Sequence, residues 1–265
     1  REVRVKESGP QRAALWVALA GGRSRLELTF SLAAGRPVVD VAARLHWQER
    51  LARLKLVMPV GAQTLECEVP GGRIRRGAIG QLPGGRWVRA LSKKRAFGFA
   101  SDALYDFDLT GGALRATIVR AAHFARSTCN GHEKQPPPWR PVMDQGLLQF
   151  KFILVPGGRE LMRLADELEQ PPVSLLTPAR PGKRPKSGTL ARLTPANLRL
   201  LALKPAEDAG AWIVRVQEIA GRSTTVRLTW LDQQLTLGRM KPNALATFRL
   251  SRRGKTWQGA RVNLV

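Results

Sequence analysis

Short stretches in which apolar and polar residues alternate recur from residue 13 to about residue 155, and glycine- or proline-rich turns separate them. Alternation with a period of two places every second side chain on one face of an extended strand, so each stretch predicts a half-buried β-strand. Such spacing is typical of an antiparallel sandwich. The predicted strands of this region are residues 14–20, 25–33, 37–47, 54–60, 64–69, 87–91, 103–109, 113–120 and 147–155.

The pattern changes at residues 159–169, where Leu161, Leu164, Ala165 and Leu168 recur at helical spacing. This predicts one short amphipathic helix, which Pro171 ends. Residues 171–188 then contain five prolines and a basic run without hydrophobic periodicity, which is the composition of a linker. Alternation returns afterwards and predicts a second, smaller β unit with strands at residues 198–203, 212–217, 225–230, 246–250 and 260–264.

These patterns predict an all-β chain of two units. Residues 1–170 form a large β-sandwich with a terminal helix, residues 171–188 a proline-rich basic linker, and residues 189–265 a small carboxy-terminal β-sandwich. A chain of 265 residues is long enough to bury a substantial core in each unit.

The formal net charge is +24, with 44 basic and 20 acidic residues, so nucleic acid or an anionic membrane has to be considered as a partner. The basic residues are, however, scattered along the predicted strands, and no helix-turn-helix, zinc finger or aromatic ribonucleoprotein motif is present. We therefore expect an arginine-rich solvated surface, without nucleic acid as the physiological partner.

No stretch of 18 apolar residues is available to cross a bilayer, and no signal peptide is recognisable. The two cysteines, Cys67 and Cys129, are too few for a disulfide scaffold, and we expect free thiols in a cytoplasmic bacterial protein. The chain starts with Arg1, so we expect it to be a piece of a longer polypeptide.

Glycosidic bond cleavage requires two carboxylates at a defined separation. Four acidic residues on the predicted strands and turns could supply such a pair: Asp102, Asp106, Asp108 and Asp144. Asp106 and Asp108 are two apart and share a strand face, and we expect them to face solvent. Asp144 precedes Gly146 and suits a turn. We therefore predict no catalytic residue in this chain.

The polar loop at residues 123–143 groups residue types that bind zinc, and two of them have Cys-x-x-His spacing. No second paired motif accompanies them, and no predicted strand or helix would fix their geometry. We therefore predict no metal site here. The residues concerned are His123, Cys129, His132 and Glu133.

A series of short motifs also runs in a fixed order along the chain. They are Trp47-Gln48-Glu49-Arg50, Leu54-Lys55-Leu56, Met58-Pro59-Val60, Arg86-Trp87-Val88, Tyr105-Asp106-Phe107-Asp108, residues 114–120, Asp144-Gln145-Gly146, Leu154-Val155-Pro156-Gly157, residues 203–208 and residues 215–218. The series resembles the carboxy-terminal β region of glycoside hydrolase family 38, the zinc-dependent α-mannosidases. Arg89 and Gln48 stand where the family pattern has aspartate and histidine, which bears on specificity more than on fold.

The resemblance implies a large galactose-mutarotase-like β-supersandwich followed by a small immunoglobulin-like sandwich. It also implies that the zinc and the aspartate nucleophile of a retaining α-mannosidase lie on an amino-terminal barrel domain outside this sequence. The expected partners are this catalytic domain and an α-mannoside or oligosaccharide substrate. Neither a membrane nor a cofactor bound by this chain is expected, and the sequence leaves a homo-oligomer open.

The sandwich would then support the barrel and contribute side chains to the rim of the sugar cleft. Aromatic faces and polar groups that form paired hydrogen bonds suit sugar rings and hydroxyls. The candidates for the rim are Tyr105, Arg120, Trp139, Arg140 and Asp144. Two further interpretations remain: a stand-alone carbohydrate-binding or interaction β-sandwich, and a basic nucleic-acid-binding β protein.

Overall fold

The computed structural model describes residues 1–77, 80–122, 142–178, 181–182, 186–208 and 210–263. These residues form antiparallel sheets and one short helix, which confirms the all-β prediction. The chain divides into two compact units, Arg1–Glu68 with Ile74–Val173, and Val69–Arg73 with Ser174–Val265. The predicted domain limits at residues 170 and 189 stay a prediction. Among the described residues no helix has the length and the apolar character needed to cross a membrane.

Thirteen strands precede the helix in the described part of the chain. They are β1 (Glu2–Ser8), β2 (Arg12–Gly21), β3 (Ser24–Ala33), β4 (Val39–Trp47), β5 (Arg53–Pro59), β6 (Thr64–Val69), β7 (Gly72–Arg76), β8 (Leu82–Pro83), β9 (Trp87–Leu91), β10 (Ala96–Ser101), β11 (Asp106–Thr110), β12 (Ala113–Arg120) and β13 (Gly146–Pro156). Nine form one sheet in the order β1-β2-β3-β4-β13-β10-β9-β6-β7, and four form a second in the order β5-β12-β11-β8.

The two sheets share one apolar core. Strand β4 illustrates how the sequence builds it: Val41, Ala43, Leu45 and Trp47 are buried, while the residues between them point outward. Phenylalanines from both sheets meet at the centre. The ring of Phe99 lies 5.8 Å from that of Phe107 across the sandwich and 5.4 Å from that of Phe152 beside it, and all three are fully buried.

The helix α1 (Leu161–Glu169) packs on the outer face of the nine-stranded sheet. Its apolar face contacts Ile153 and Val155 of β13, and Gly98 of β10 allows this approach because a Cβ there would lie 2.5 Å from Leu161 Cδ2. The predicted start at residue 159 is wrong by two residues, because Glu160 adopts a left-handed conformation with φ of 54°.

Charged groups fix the helix to the sheet. Arg86, in the loop before β9, donates to Glu68 Oε1 at 2.6 Å and to both Asp166 and Glu169 of the helix at 2.7 Å. Arg36 donates to Glu167 at 2.8 Å. Arg86 is largely buried, so its carboxylate partners compensate the cost of removing its charge from water.

Two details of the first unit correct the sequence analysis. The strand predicted at residues 103–109 begins only at Asp106, because the amides of Ala103 and Leu104 donate to Ser101 Oγ and form a turn. Strands β1, β7, β8 and β10 were not predicted. Strand β10 was missed because it is central, so that both of its faces are covered and its sequence does not alternate.

Cys67 lies on β6, is fully buried and carries a free thiol, as the strand pattern predicted. Burial raises the pKa of this thiol to about 11, so it remains protonated near neutral pH and acts as a small apolar side chain. Cys129 lies outside the described residues.

The second unit is a smaller sandwich. Its strands are β14 (Ala191–Thr194), β15 (Leu198–Pro205), β16 (Ala211–Glu218), β17 (Thr224–Trp230), β18 (Gln233–Met240), β19 (Leu245–Arg253) and β20 (Thr256–Val262). Strands β14-β17-β18 form a three-stranded sheet and β15-β16-β19-β20 a four-stranded one. Strands β14 and β18 were not predicted, and the last strand runs from Thr256 to Val262 instead of over residues 260–264.

Tryptophan packing holds these two sheets together. Trp230 of β17 is almost completely buried, and its ring lies 5.3 Å from that of Trp212 and 5.7 Å from that of Trp257, which belong to the other sheet. Phe248 and Met240 fill the same core. Burying several large side chains from both sheets is the main stabilising contribution available to a unit of this size.

One buried carboxylate organises the loops at one end of this sandwich. Glu218 is fully buried, and its Oε1 accepts hydrogen bonds from Asn197 Nδ2 and the amide of Ala220, both at 2.8 Å. Its Oε2 accepts from the amides of Gly221 at 2.9 Å, Arg222 at 3.1 Å and Asn243 at 2.9 Å. Burial raises the pKa of Glu218, but these donors outweigh it and hold the pKa below the ordinary value of 4.5.

We expect Glu218→Gln to lower the free energy of unfolding by about 2–4 kcal/mol at pH 7, because an amide NH₂ would face backbone donors that the carboxylate now satisfies. The stabilisation is present above the ordinary pKa of 4.5 and is lost as pH falls through the lower folded pKa.

Urea unfolding at several pH values measures this effect of Glu218→Gln. The control is Glu207→Gln at a side chain that is 95% exposed, for which we expect no change. A pH-independent difference between wild type and Glu218→Gln would contradict the assignment.

Candidate functional site

A groove of about 530 Å³ lies on the outer face of the nine-stranded sheet. One row of side chains crosses it because Trp16, Thr29, Ala42 and Lys151 occupy paired positions on β2, β3, β4 and β13. The small side chains of Thr29 and Ala42 form its floor between two large ones, which produces the depression. A neighbouring row consists of Glu27, Arg44 and Gln149.

The two carboxylates that line this groove are already bonded. Glu27 accepts from Arg25 Nε at 2.9 Å, and Asp102 Oδ1 accepts from the backbone amide of Lys151 at 2.8 Å. By contrast, the side chains of Arg44 and Lys151 have no hydrogen-bond or ion-pair partner among the described residues. The groove therefore presents free donors, with its acids held in structural contacts.

Trp16 supplies the aromatic surface of the groove. It is half-buried, and the guanidinium carbon of Arg4 lies 5.7 Å from its ring centroid. An aromatic side chain beside donors and an amide such as Gln149 is the combination of residues that binds a sugar ring and its hydroxyls. None of the groove residues except Asp102 was considered from the sequence.

Of the predicted rim residues that the structure describes, Tyr105 lies in the turn next to this groove. Its side chain is exposed, and its hydroxyl donates to the carbonyl oxygen of Asp102 at 2.8 Å, so it lies in the turn beside the groove-lining Asp102. This hydrogen bond orients the ring without burying it. Tyr105 therefore stays a candidate for the rim.

Arg120 and Asp144 lie elsewhere. Arg120 is exposed at the end of β12, opposite Arg53 of β5, and Asp144 occupies a turn with φ of 58° before β13. No hydrogen bond or ion pair joins Tyr105, Arg120 and Asp144 in the described part of the chain. Trp139 and Arg140 lie outside the described residues, as do His123, Cys129, His132 and Glu133.

The acid pair on β11 is held by a polar network. Asp108 has 2% of its side chain exposed and accepts from Lys55, Arg115 and, at 3.1 Å, Thr110 Oγ1. Asp106 accepts from Gln81. The expectation that both face open solvent is wrong for Asp108, because the cross-strand side chains of Lys55 and Arg115 lie over it. Its carboxylate is therefore occupied in holding β5, β11 and β12 together.

Among the described residues no group of three or more histidine, cysteine, aspartate or glutamate side chains is arranged to hold a metal ion. The chemistry that the described surface offers is recognition by hydrogen bonding, charge and an aromatic face.

Comparisons with known proteins agree with the motif series. Residues 197–245 match the family model of the glycosyl hydrolases family 38 C-terminal beta sandwich domain. This segment contains Asn197, Glu218 and Asn243, so the buried carboxylate and its partners lie within the matched region. A comparison of the sequence with curated proteins finds no match.

Two solved structures share the fold. One is an alpha-mannosidase from Enterococcus faecalis V583, with a TM-score of 0.74, 14% identity, and coverage of 94% of this chain and 35% of the other. The second is a protein in the glycosyl hydrolase family 38 from Enterococcus faecalis, with a TM-score of 0.74, 15% identity, and coverage of 94% and 36%. The predicted resemblance is confirmed, and the chain spans about a third of the length of these two proteins.

We expect Asp108→Asn to lower the free energy of unfolding by about 1–3 kcal/mol, because Lys55 and Arg115 would keep their charges without the carboxylate between them. Burial raises the pKa of Asp108, but the bonds from Lys55, Arg115 and Thr110 hold it below its ordinary value of 3.8. The stabilisation should therefore be full above pH 3.8 and disappear as pH falls through the lower folded pKa.

Urea unfolding between pH 2 and 7 measures this effect. Asp144→Asn serves as the matched control, because asparagine tolerates the same left-handed conformation and no described residue forms such a network around Asp144. Equal stability of the two variants would contradict the role given to Asp108.

Proposed function

We propose that this chain is the carboxy-terminal, non-catalytic β portion of a retaining α-mannosidase of glycoside hydrolase family 38. The observation that carries the proposal is the common fold with an alpha-mannosidase over 94% of the chain, together with the family match at residues 197–245. Because the chain corresponds to about a third of that protein, the activity of the whole enzyme belongs to the proposal.

The chemistry of the described residues supports a separation of the proposed enzyme into a supporting part and a catalytic part. Glycosidic cleavage needs one carboxyl group as acid and a second as nucleophile. The buried acid Asp108 and the groove acid Glu27 are instead bound to lysine or arginine. We propose that the nucleophile and the zinc ion belong to a catalytic domain of the same polypeptide, and that a cytoplasmic bacterial enzyme hydrolyses α-mannosidic bonds in this way.

In this proposal the groove on the nine-stranded sheet contacts the sugar chain of the substrate. Trp16 would cover an apolar sugar face, and Arg44, Gln149 and Lys151 would bind hydroxyl groups. Tyr105 borders the groove and would extend the contact. The remaining rim candidates, Arg120, Trp139, Arg140 and Asp144, stay predictions.

The groove also supports a second candidate, a stand-alone carbohydrate-binding β-sandwich. All of the residues that line it belong to the first unit, so sugar binding there needs no other domain. The two candidates differ in whether the complete polypeptide hydrolyses α-mannosides, since a stand-alone binding module would have no catalytic domain.

The activity test uses the polypeptide encoded by the complete gene beside the 265-residue chain. With p-nitrophenyl α-mannoside, we expect hydrolysis by the complete polypeptide, loss of turnover with a chelator and recovery with zinc, because the proposed enzyme depends on zinc. The 265-residue chain should be inactive. Chelator-insensitive turnover would contradict the zinc enzyme, and absence of any turnover by the complete polypeptide would favour the binding module.

The groove is tested by calorimetric titration of the chain with a manno-oligosaccharide. We expect Trp16→Ala to weaken binding roughly fivefold through loss of the aromatic face, and Arg44→Gln to weaken it by a similar factor through loss of a charged donor. Arg252→Gln, which removes one exposed arginine of the second unit, is the matched control and should bind as the wild type does. Unchanged binding by both groove variants would exclude the groove as the sugar site.

A further inference from the structure

The outer face of the three-stranded sheet in the second unit has an unusual composition. Strands β14, β17 and β18 alternate between buried apolar residues and outward polar ones, and none of the three contains an aspartate or a glutamate. The outward residues are arginines, threonines and one glutamine. They are Arg192, Thr194, Thr225, Arg227, Thr229, Gln234, Thr236 and Arg239.

The register of the strands places the three arginines on a diagonal. Arg192 is opposite Thr229, and Arg227 is two residues earlier on the same strand as Thr229. Arg239 is opposite Thr225, which is two residues before Arg227. Diagonal neighbours of this kind are about 7–8 Å apart. The arginines therefore form a line of positive charge about 15 Å long across three strands.

The three arginines have no partner for their charge in the described part of the chain. Among the described residues none of the three makes a hydrogen bond or an ion pair through its side chain, and all are exposed. On the other sheet of this unit, Arg249 donates to Asp208 at 2.6 Å. The nearest acid along the chain to the three strands is Asp232, in the turn between β17 and β18. An external anion would complement the charge of this face.

The side chains between the arginines narrow the class of partner. Single-stranded nucleic acids bind on aromatic side chains that stack with bases, and this face has none, since Trp230 is buried beneath it. A protein interface has an apolar or aromatic centre, which is also missing here. Threonine hydroxyls and a glutamine amide, by contrast, donate to and accept from sugar hydroxyls.

We infer that this arginine–threonine face binds a linear acidic polysaccharide, a polyuronate or a sulfated glycan, whose repeated negative charges pair with Arg192, Arg227 and Arg239. The threonines and Gln234 contact sugar hydroxyls between the charged groups. The inference goes beyond the proposed α-mannosidase function, since it concerns a separate surface of the second unit. Binding at this surface would not depend on whether mannosides are hydrolysed.

The test compares the triple variant R192Q/R227Q/R239Q with the matched control R222Q/R253Q/R261Q, which removes three exposed arginines of the same unit from outside this sheet. Binding to alginate, heparin, neutral dextran and single-stranded DNA is measured by calorimetry between 0.05 and 0.3 M salt. Circular dichroism and thermal melting verify that both variants fold. Alginate tests a polyuronate and heparin a sulfated glycan.

We expect the face variant to bind alginate or heparin at least about tenfold more weakly at 0.15 M salt, because three exposed ion pairs are lost. The slope of log K against log salt should fall by roughly 0.7–0.9 per arginine, as for other linear polyanions. The control should keep most of the affinity, and dextran should not bind. The single variant R227Q should show about a third of the slope change, which keeps the test decisive if the triple variant fails to fold.

Three outcomes would overturn the inference. Wild-type binding by the face variant would exclude this surface. An equal loss in the control would attribute binding to the net charge of +24 alone. A larger loss for single-stranded DNA than for either glycan would assign the face to nucleic acid. Mannosidase activity is independent of all three results, so failure here does not touch the proposed function.

Discussion

The structure depends on one constraint: a β-strand has two faces, and packing one of them into a shared apolar core leaves the other to water. In the first unit Phe99, Phe107 and Phe152 meet between the sheets, and in the second Trp230 occupies the same place. The polar surfaces described here therefore lie on outer sheet faces. The groove at Trp16, the network at Asp108 and the arginine line at Arg227 are three uses of that geometry.

The structure shows how the acidic residues are used, which the composition alone does not give. Acids in or near the core are neutralised, as when Arg89 Nε donates to Glu66 at 2.8 Å and Arg86 to Glu68 at 2.6 Å. Arg89 thus forms an ion pair with a glutamate that is almost completely buried. The buried carboxylate of Glu218 is bonded to backbone amides and to Asn197 instead of to a cation. With most acids occupied in this way, the unpaired arginines remain at the surface.

These features agree with the supporting role proposed above. The buried carboxylates serve the fold, since each is surrounded by donors that hold its pKa low or bind it in place, as at Asp108 and Glu218. Residues with unused hydrogen-bonding capacity, such as Arg44 and Lys151, lie instead on open surfaces suited to recognition. A sandwich of this kind can present a sugar chain to a catalytic domain while its own core remains undisturbed.

The class of fold could be predicted from the amino-acid sequence, because alternation is a local property. Strands β6 and β9 have the predicted bounds, and the helix differs only at its start. The order of short motifs was also sufficient to predict the family resemblance. Alternation gives a wrong strand boundary where side chains form local hydrogen bonds with the backbone. At Ser101 such bonds form a turn, so that β11 begins later than its alternating pattern predicts.

Which outward faces become sites was decided only by the tertiary structure. The groove exists because β13 lies beside β4, about a hundred residues earlier, so that Lys151 comes opposite Ala42. Asp108 is buried because Lys55 of β5 lies over it. Arg192 and Arg227 align because β14 pairs with β17. Alternation fixes the face on which a side chain lies, whereas its neighbours depend on strand pairing and register over long separations, which no local pattern encodes.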